Sequence, residues 1–311
     1  MKTDSFHNVS LETLFNTDVD RFSLHKDLSM NLSADFLSSI KRYGLFHPPV
    51  VMRAGEGYQL ICGRKRIQAL LETGSDPSPL CRVVTVSGPP ELLTTILEDQ
   101  RLSGPLSVIM TARLLKLTET LLPRGSRNTL IKQMEIGSYV QLQRLLPLLD
   151  LEQPIRDEIH CGSISDKVGL TLCSITAEDR LFLCHLFMGL SLNKNKQKRL
   201  LDMCQILIAQ KGGTYKKLFQ KDFKDFLPEN IRSNIPQTAG NLLKCLYEAS
   251  HPLSTHAERV FNDRKNDLGL PASCSVSHSP AFEKDRVTLS IEFDNLDEMT
   301  RIWQKIKHQL K

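Results

Sequence analysis

The sequence predicts a multidomain α+β protein: an α/β N-terminal domain over 1–104, an all-helical middle domain with a helix-turn-helix over 105–211, and a helical linker with a small α+β module over 212–311. Three observations predict it. Two short apolar runs flank a glycine-rich turn and lead into a basic helix at 50–74. From about 106 to 209 the pattern is helical almost throughout, and the tail alternates apolar and polar residues before an amphipathic helix.

The first elements are strands, Val50 to Met52 and Tyr58 to Cys62, with Gly55 and Gly57 permitting a tight turn between them. Gly63 then lets the backbone turn abruptly, and Arg64, Lys65 and Arg66 open a helix that runs to about Gly74. Free N–H groups at a helix start together with three cations form an anion site. A solvated basic helix start is the plainer reading of the same tripeptide. Farther on, Glu98 and Asp99 offer oxygen ligands of the kind magnesium takes beside substrate phosphates; their plainer reading is a charge pair in water at a helix end. Pro105 suits the first turn of a helix from Leu106 to Leu122.

In the middle region, Arg124-Gly125-Ser126 reads as a loop and helix cap, followed by two short helices around Gly137-Ser138. Val140, Leu142, Leu145 and Leu146 are expected to face inward. A helix-turn-helix lays its second helix in the major groove, which makes Ser138, Tyr139, Gln141 and Arg144 the polar candidates at a DNA surface, with Lys132 as a phosphate contact. Alternatively, Tyr139 packs and Arg144 pairs with Asp150 or Asp157. Beyond Gly212-Gly213, helices are expected at 216–227, 240–247 and 255–268, then strands at 273–278 and 287–293 joined by a turn at 280–285. The last helix, Leu296 to Leu310, carries the stripe Leu296, Met299, Ile302, Trp303, Ile306 and Leu310. Two strands and a helix are too few to be stable alone, so either the preceding helices or a second copy of the chain covers that stripe.

With 311 residues, 41% hydrophobic and 24% charged, the chain is globular and long enough for two or three domains. No run of 18 apolar residues occurs and the start lacks a signal-peptide core, so a cytoplasmic location is expected. The eight cysteines include no Cys-x-x-Cys pair, which favours reduced, partly buried thiols over disulfides or zinc. Net charge is only +5. Its clustering at 124–132, 194–199 and 211–224 is what leaves room for a phosphate-facing stripe, although solvated faces are the usual fate of such runs.

The order Leu37 to Leu45, Pro49-Val50-Val51 and Gly63-Arg64-Lys65-Arg66 resembles the N-terminal domain of the ParB family of bacterial partition proteins. There a Gly-Leu helix ending, a Pro-led strand and a Gly-Glu-Arg-Arg box follow one another. Glu98-Asp99-Gln100-Arg101 through Pro105 is similar to a second family box. Ser138-Tyr139-Val140, Arg144-Leu145-Leu146, Gly162 to Ser165 and Leu190-Ser191-Leu192 resemble the recognition helix and the turns after it. The likeness spans about residues 10 to 210, and the tail is similar to the family's dimerisation module in outline only.

The resemblance implies that Gly63, Arg64, Lys65 and Arg66 grip the triphosphate of CTP, that Glu98 and Asp99 position Mg2+, and that the protein is a nucleoid-associated homodimer clamping double-stranded DNA for plasmid or chromosome partition with a ParA-like ATPase. One departure stands out. Arg64 replaces the family's Glu, and a guanidinium binds charge but does not position metal or water, so CTP hydrolysis is expected to be slow or absent. Two rivals are a ParB-related regulator or adaptor without nucleotide chemistry and a nucleotide-using enzyme of the similar sulfiredoxin or serine-kinase type.

Overall fold

The computed structural model of the chain describes residues 5–15, 18–29, 31–230, 234–279 and 286–309. They fall into two compact units, Met1–Arg199 with Gly213–Ala239, and Leu200–Gly212 with Gly240–Lys311. The boundary expected at 104 falls inside the first unit, where the N-terminal sheet and the helices after it share a core.

That unit opens with β1 (Ser5–Asn8), α1 (Leu11–Phe15), α2 (Ala34–Tyr43), β2 (Val50–Ala54), β3 (Gly57–Cys62), α3 (Arg64–Thr73), β4 (Leu80–Val84) and α4 (Pro89–Ser103). The sheet order is β1-β4-β2-β3, with β2 and β3 an antiparallel hairpin and β2 parallel to β4. Because side chains alternate along a strand, adjacent residues feed opposite faces. Val51, Leu60 and Val83 pack with Leu14, Ile67 and Leu70 on one side. Val50, Ile61 and Val84 pack with Leu93, Leu97, Met110 and Leu114 on the other. A sheet covered on both faces gives the near-continuous apolar runs seen in its strands, and each such buried side chain contributes about 1.5–3 kcal/mol.

Helices complete the unit: α5 (Val108–Leu121), α6 (Arg124–Gln133), α7 (Tyr139–Gln143), a 3-10 turn (Leu146–Asp150), α8 (Gln153–Cys161), α9 (Asp166–Cys173) and α10 (Ala177–Gly189). The start of α11 (Lys194–Lys211) and α12 (Tyr215–Asp222) follow. Pro105 lies ahead of α5 rather than in its first turn. Ser107 is the cap instead, its hydroxyl accepting from Met110 N–H at 3.3 Å, a better helix start than proline because it satisfies an otherwise orphaned donor.

In the second unit, the remainders of α11 and α13 (Ile235–Ser250) carry buried leucines, among them Leu200, Leu207, Leu242 and Leu246. α14 (Pro252–Asp267) follows, with Phe261 set edge-on to His278 of β5 (Cys274–His278), ring centroids 4.6 Å apart. β5 pairs antiparallel with β6 (Val287–Ile291) and α15 (Leu296–Gln309) closes the chain. Asn295 caps α15, accepting from Glu298 N–H at 2.8 Å. Leu296, Met299 and Trp303 are 71%, 40% and 47% exposed. Of the two expected covers for this stripe, the intrachain one is therefore not adopted at these residues. The turn at 280–285, the Ile306 side chain and Leu310 lie outside the described residues.

Candidate functional site

Gly63 sits between β3 and α3 with φ +100°, the left-handed region that favours glycine. A Cβ there would lie 3.1 Å from the Pro49 Cα and 3.1–3.2 Å from the Arg66 guanidinium. Both conformation and space therefore require glycine where the hairpin delivers its cations onto α3. These cations line a cavity of about 560 Å³ whose wall also includes Phe22, His25, Phe36, His47, Cys62 and Asp99. Its size falls within the about 300–1,000 Å³ common for small-molecule sites, and an apolar wall with a few convergent polar groups is the usual composition of one.

Each cation of the box has a distinct setting. Arg64 pairs with Asp20, with 2.9 Å from Nη2 to Oδ2 and an ion pair from Nε to Oδ1. Its Nη1 is buried with no hydrogen-bond partner among the described residues. Arg66 donates to the His47 and Pro48 carbonyls at 3.0 and 2.8 Å and, through Nη2, to both Asp99 oxygens at 3.2 and 3.0 Å. Lys65 faces no carboxylate within ion-pair distance among the described residues.

Burial and the neighbouring positive charge act together on the imidazoles beside the box. Burial first, then Lys65, His160 and Arg64, push His25 down to about 4. His160 on α8 is also lowered, chiefly by burial and then by Lys65. The two imidazoles meet edge-on at 5.6 Å, and His160 Nδ1 lies 2.7 Å from the Ser107 hydroxyl. Beside them, burial and the Asp99 charge raise the Cys62 thiol far above its usual range, so it stays protonated.

Asp20 and His25 were not legible as site residues. Asp20 reaches Arg64 across 44 positions of sequence, and no local spacing links them. Glu98 and Asp99 do not converge on a common point. Neighbours on a helix project about 100° apart, and here Asp99 turns to Arg66 while Glu98 turns to Arg101 at 2.7 Å. Among the described residues no three His, Cys, Asp or Glu side chains gather where a metal ion would fit.

The positions expected to form a helix-turn-helix are arranged differently. α6 and α7 meet at a turn where Glu135 takes φ +55° and Gly137 φ +123°. Ser138 caps α7, accepting from Gln141 N–H at 3.3 Å. Tyr139 packs with Leu115, Ile131 and Leu142 and donates its hydroxyl to Glu119 at 2.7 Å; it takes the packing alternative. Val140, expected inward, is 68% exposed. Tyr139 and Leu142 form the inner face of α7 at i and i+3, and Val140, two residues from Leu142 and so about 200° away, turns outward with Gln141. Lys132, Gln141 and Arg144 are exposed. Arg144 has no ion-pair partner among the described residues, and Asp157 is taken by Ser29 at 2.5 Å.

No protein-family model matches the chain, and no curated protein does. Solved structures do. A C-terminally truncated chromosome-partitioning protein ParB from Caulobacter crescentus, complexed with CTP-γ-S, matches at 17% identity over 56% of this chain and 94% of that one, with a TM-score of 0.25. The same protein complexed to the centromeric parS site matches at 15% identity over 62% and 97%, TM-score 0.32. A Pnob8-like ParB-N domain matches at 14% over 79% and 99%, TM-score 0.36. The chain is similar to ParB proteins. No helix among the described residues is long and apolar enough to cross a membrane.

Proposed function

We propose that this ParB-like chain binds a nucleoside triphosphate in the N-terminal cavity and double-stranded DNA through α6 and α7, in the service of plasmid or chromosome partition. The observation that carries the nucleotide half is the Arg64 Nη1 group, a buried guanidinium N–H with no partner at the cavity wall. A buried donor left unmade costs about 1–3 kcal/mol, more when charged, and a phosphate oxygen is the acceptor that matches a guanidinium fork. Gly63 backbone and Lys65 stand beside it, and the apolar wall offers room for a base and ribose. The sequence resemblance supplies CTP as the nucleotide to test first.

Lys132, Gln141 and Arg144 carry the DNA half. They lie on the outer side of a helix pair whose inner side is buried, free to meet phosphates and base edges. No carboxylate stands among the box residues where the family has its Glu, so the bound nucleotide is expected to turn over slowly or not at all.

Calorimetric titration with CTP, with and without Mg2+, and anisotropy with duplex DNA at two salt concentrations test the two halves separately. Binding of CTP that weakens about tenfold or more in Lys65→Ala supports the first. Absence of heat at millimolar CTP overturns it, and absence of DNA affinity at low salt overturns the second. One observation favours a second reading, the adaptor without nucleotide chemistry: Asp20 and Asp99 already neutralise two of the three box cations.

A further inference from the structure

Two guanidiniums of the box carry carboxylates of this chain, and those carboxylates come from elements far apart in sequence. Asp20 lies in the segment between α1 and α2, and Asp99 lies on α4. Both pairs are mostly shielded, with side-chain exposures of 25% and 27% for Arg64–Asp20 and 16% and 23% for Arg66–Asp99. A carboxylate presents its two oxygens to a guanidinium with the geometry a phosphate uses, so the two anions compete for the same fork of donors. Lys65, with no carboxylate within ion-pair distance among the described residues, remains for an incoming anion to meet first, while the unpartnered Arg64 Nη1 is buried behind it.

We propose that Asp20 and Asp99 are internal competitors for the cavity, holding the arginines that a polyphosphate must take over. The inference rests on the nucleotide reading above and adds its regulation and its selectivity. A single phosphate that meets Lys65 alone leaves the carboxylates on the arginines. A tri- or diphosphate presents enough charge and length to displace both, each arginine exchanging one oxyanion for another while the freed carboxylate is hydrated. Asp20 and Asp99 therefore set a threshold that favours polyvalent phosphates over monoanions. This assignment also separates Asp99 from a metal ligand, since a ligand's removal weakens binding and a competitor's removal strengthens it.

The experiment titrates CTP, inorganic pyrophosphate and inorganic phosphate into the full chain as wild type, Asp20→Asn and Asp99→Asn, with and without Mg2+. Asparagine keeps the shape and one acceptor but gives up the charge. Each variant is expected to bind CTP and pyrophosphate about tenfold tighter than wild type, the size of one charge-assisted hydrogen bond freed from competition. The ratio of pyrophosphate to phosphate affinity should fall. Melting temperatures give a second readout: each variant should melt lower than wild type without ligand and gain more from pyrophosphate. The two sites are independent, so one folded variant suffices. Wild type that binds CTP while both variants bind it equally or more weakly overturns this inference and leaves the nucleotide reading standing. Failure of all three proteins to bind CTP or pyrophosphate at millimolar concentration overturns both.

Discussion

The cations of the N-terminal box and those of α6 and α7 are similar in number and opposite in situation. Arg64 and Arg66 are largely shielded, each fixed by a carboxylate, and Arg66 also by two backbone carbonyls. Lys132 and Arg144 stand in water. A shielded, fixed guanidinium recognises an anion by geometry and holds its surroundings together, whereas an exposed one acts through long-range charge and costs the fold nothing to lose. Mutating the two sets should therefore separate stability from binding, and the contrast can be broken at four points.

The largest effect is expected at Arg66. Its removal leaves Asp99 shielded without a cation and takes the guanidinium donor from two carbonyls, for which about 2–4 kcal/mol of lost stability is expected. Urea denaturation of Arg66→Ala checks it. A midpoint shift no greater than that of Arg144→Ala would place the two sets in the same class and dissolve the comparison.

Acid should expose the same difference. His25 has its folded-state value lowered to about 4 from the usual 6.5, first by burial and then by Lys65, His160 and Arg64. Its contribution is thus fully present above about pH 6.5, where both states are neutral, and is lost as pH falls toward 4, where the unfolded chain takes up a proton and the folded one does not. A loss of about 1–3 kcal/mol across that window is expected, flattened in His25→Asn. Pyrophosphate in the cavity offsets the Lys65 and Arg64 charges and should shrink the loss. A pH profile identical in wild type and variant would contradict this.

How much of this was legible beforehand follows from sequence distance. The hairpin 50–62, the Gly63 turn and the helix to Gly74 stand where local signals put them, because alternation, glycine and a helix period all lie within one short window. The settings of the cations did not. Asp20 and His25 reach the box through the tertiary fold, and the Arg66–Asp99 pair joins α3 to α4 across 33 positions of sequence. Val140 turns outward for a smaller reason: it stands two residues before Leu142, about 200° away around the helix, so the two do not share a face. In the tail, the period of α15 marked an apolar stripe correctly, but a period states only that a face needs cover, not what covers it.

Gly137 and Gly63 allow a milder test. Both have positive φ, yet a Cβ at Gly137 would lie 3.8 Å from the flexible Leu142 side chain, while one at Gly63 would press on the Pro49 backbone. Gly137→Ala should then cost about 1 kcal/mol, the backbone conformation alone, and Gly63→Ala clearly more, because strain and crowding add. Equal melting temperatures for the two variants would show that the box has no tighter packing than the turn between α6 and α7.

The smallest expected effect on the fold is also the most informative about DNA. Lys132 and Arg144 are exposed, so replacing either with alanine should change stability by less than about 0.5 kcal/mol. Their loss should instead appear in binding. If Lys132 contacts only phosphate, Lys132→Ala weakens every duplex alike and lowers the slope of log affinity against log salt by about one unit. Arg144 lies just after α7, with Gln141 one turn before it on the outward side. A base-edge role predicts that Arg144→Ala costs about 1–3 kcal/mol on a preferred sequence and much less on a random one. Anisotropy titrations at three salt concentrations, with a preferred duplex selected from a randomised pool, distinguish the two roles. If both variants bind all duplexes as wild type does, the exposed cations of α6 and α7 are a solvated face, and the contrast with the box is one of burial without a second binding site.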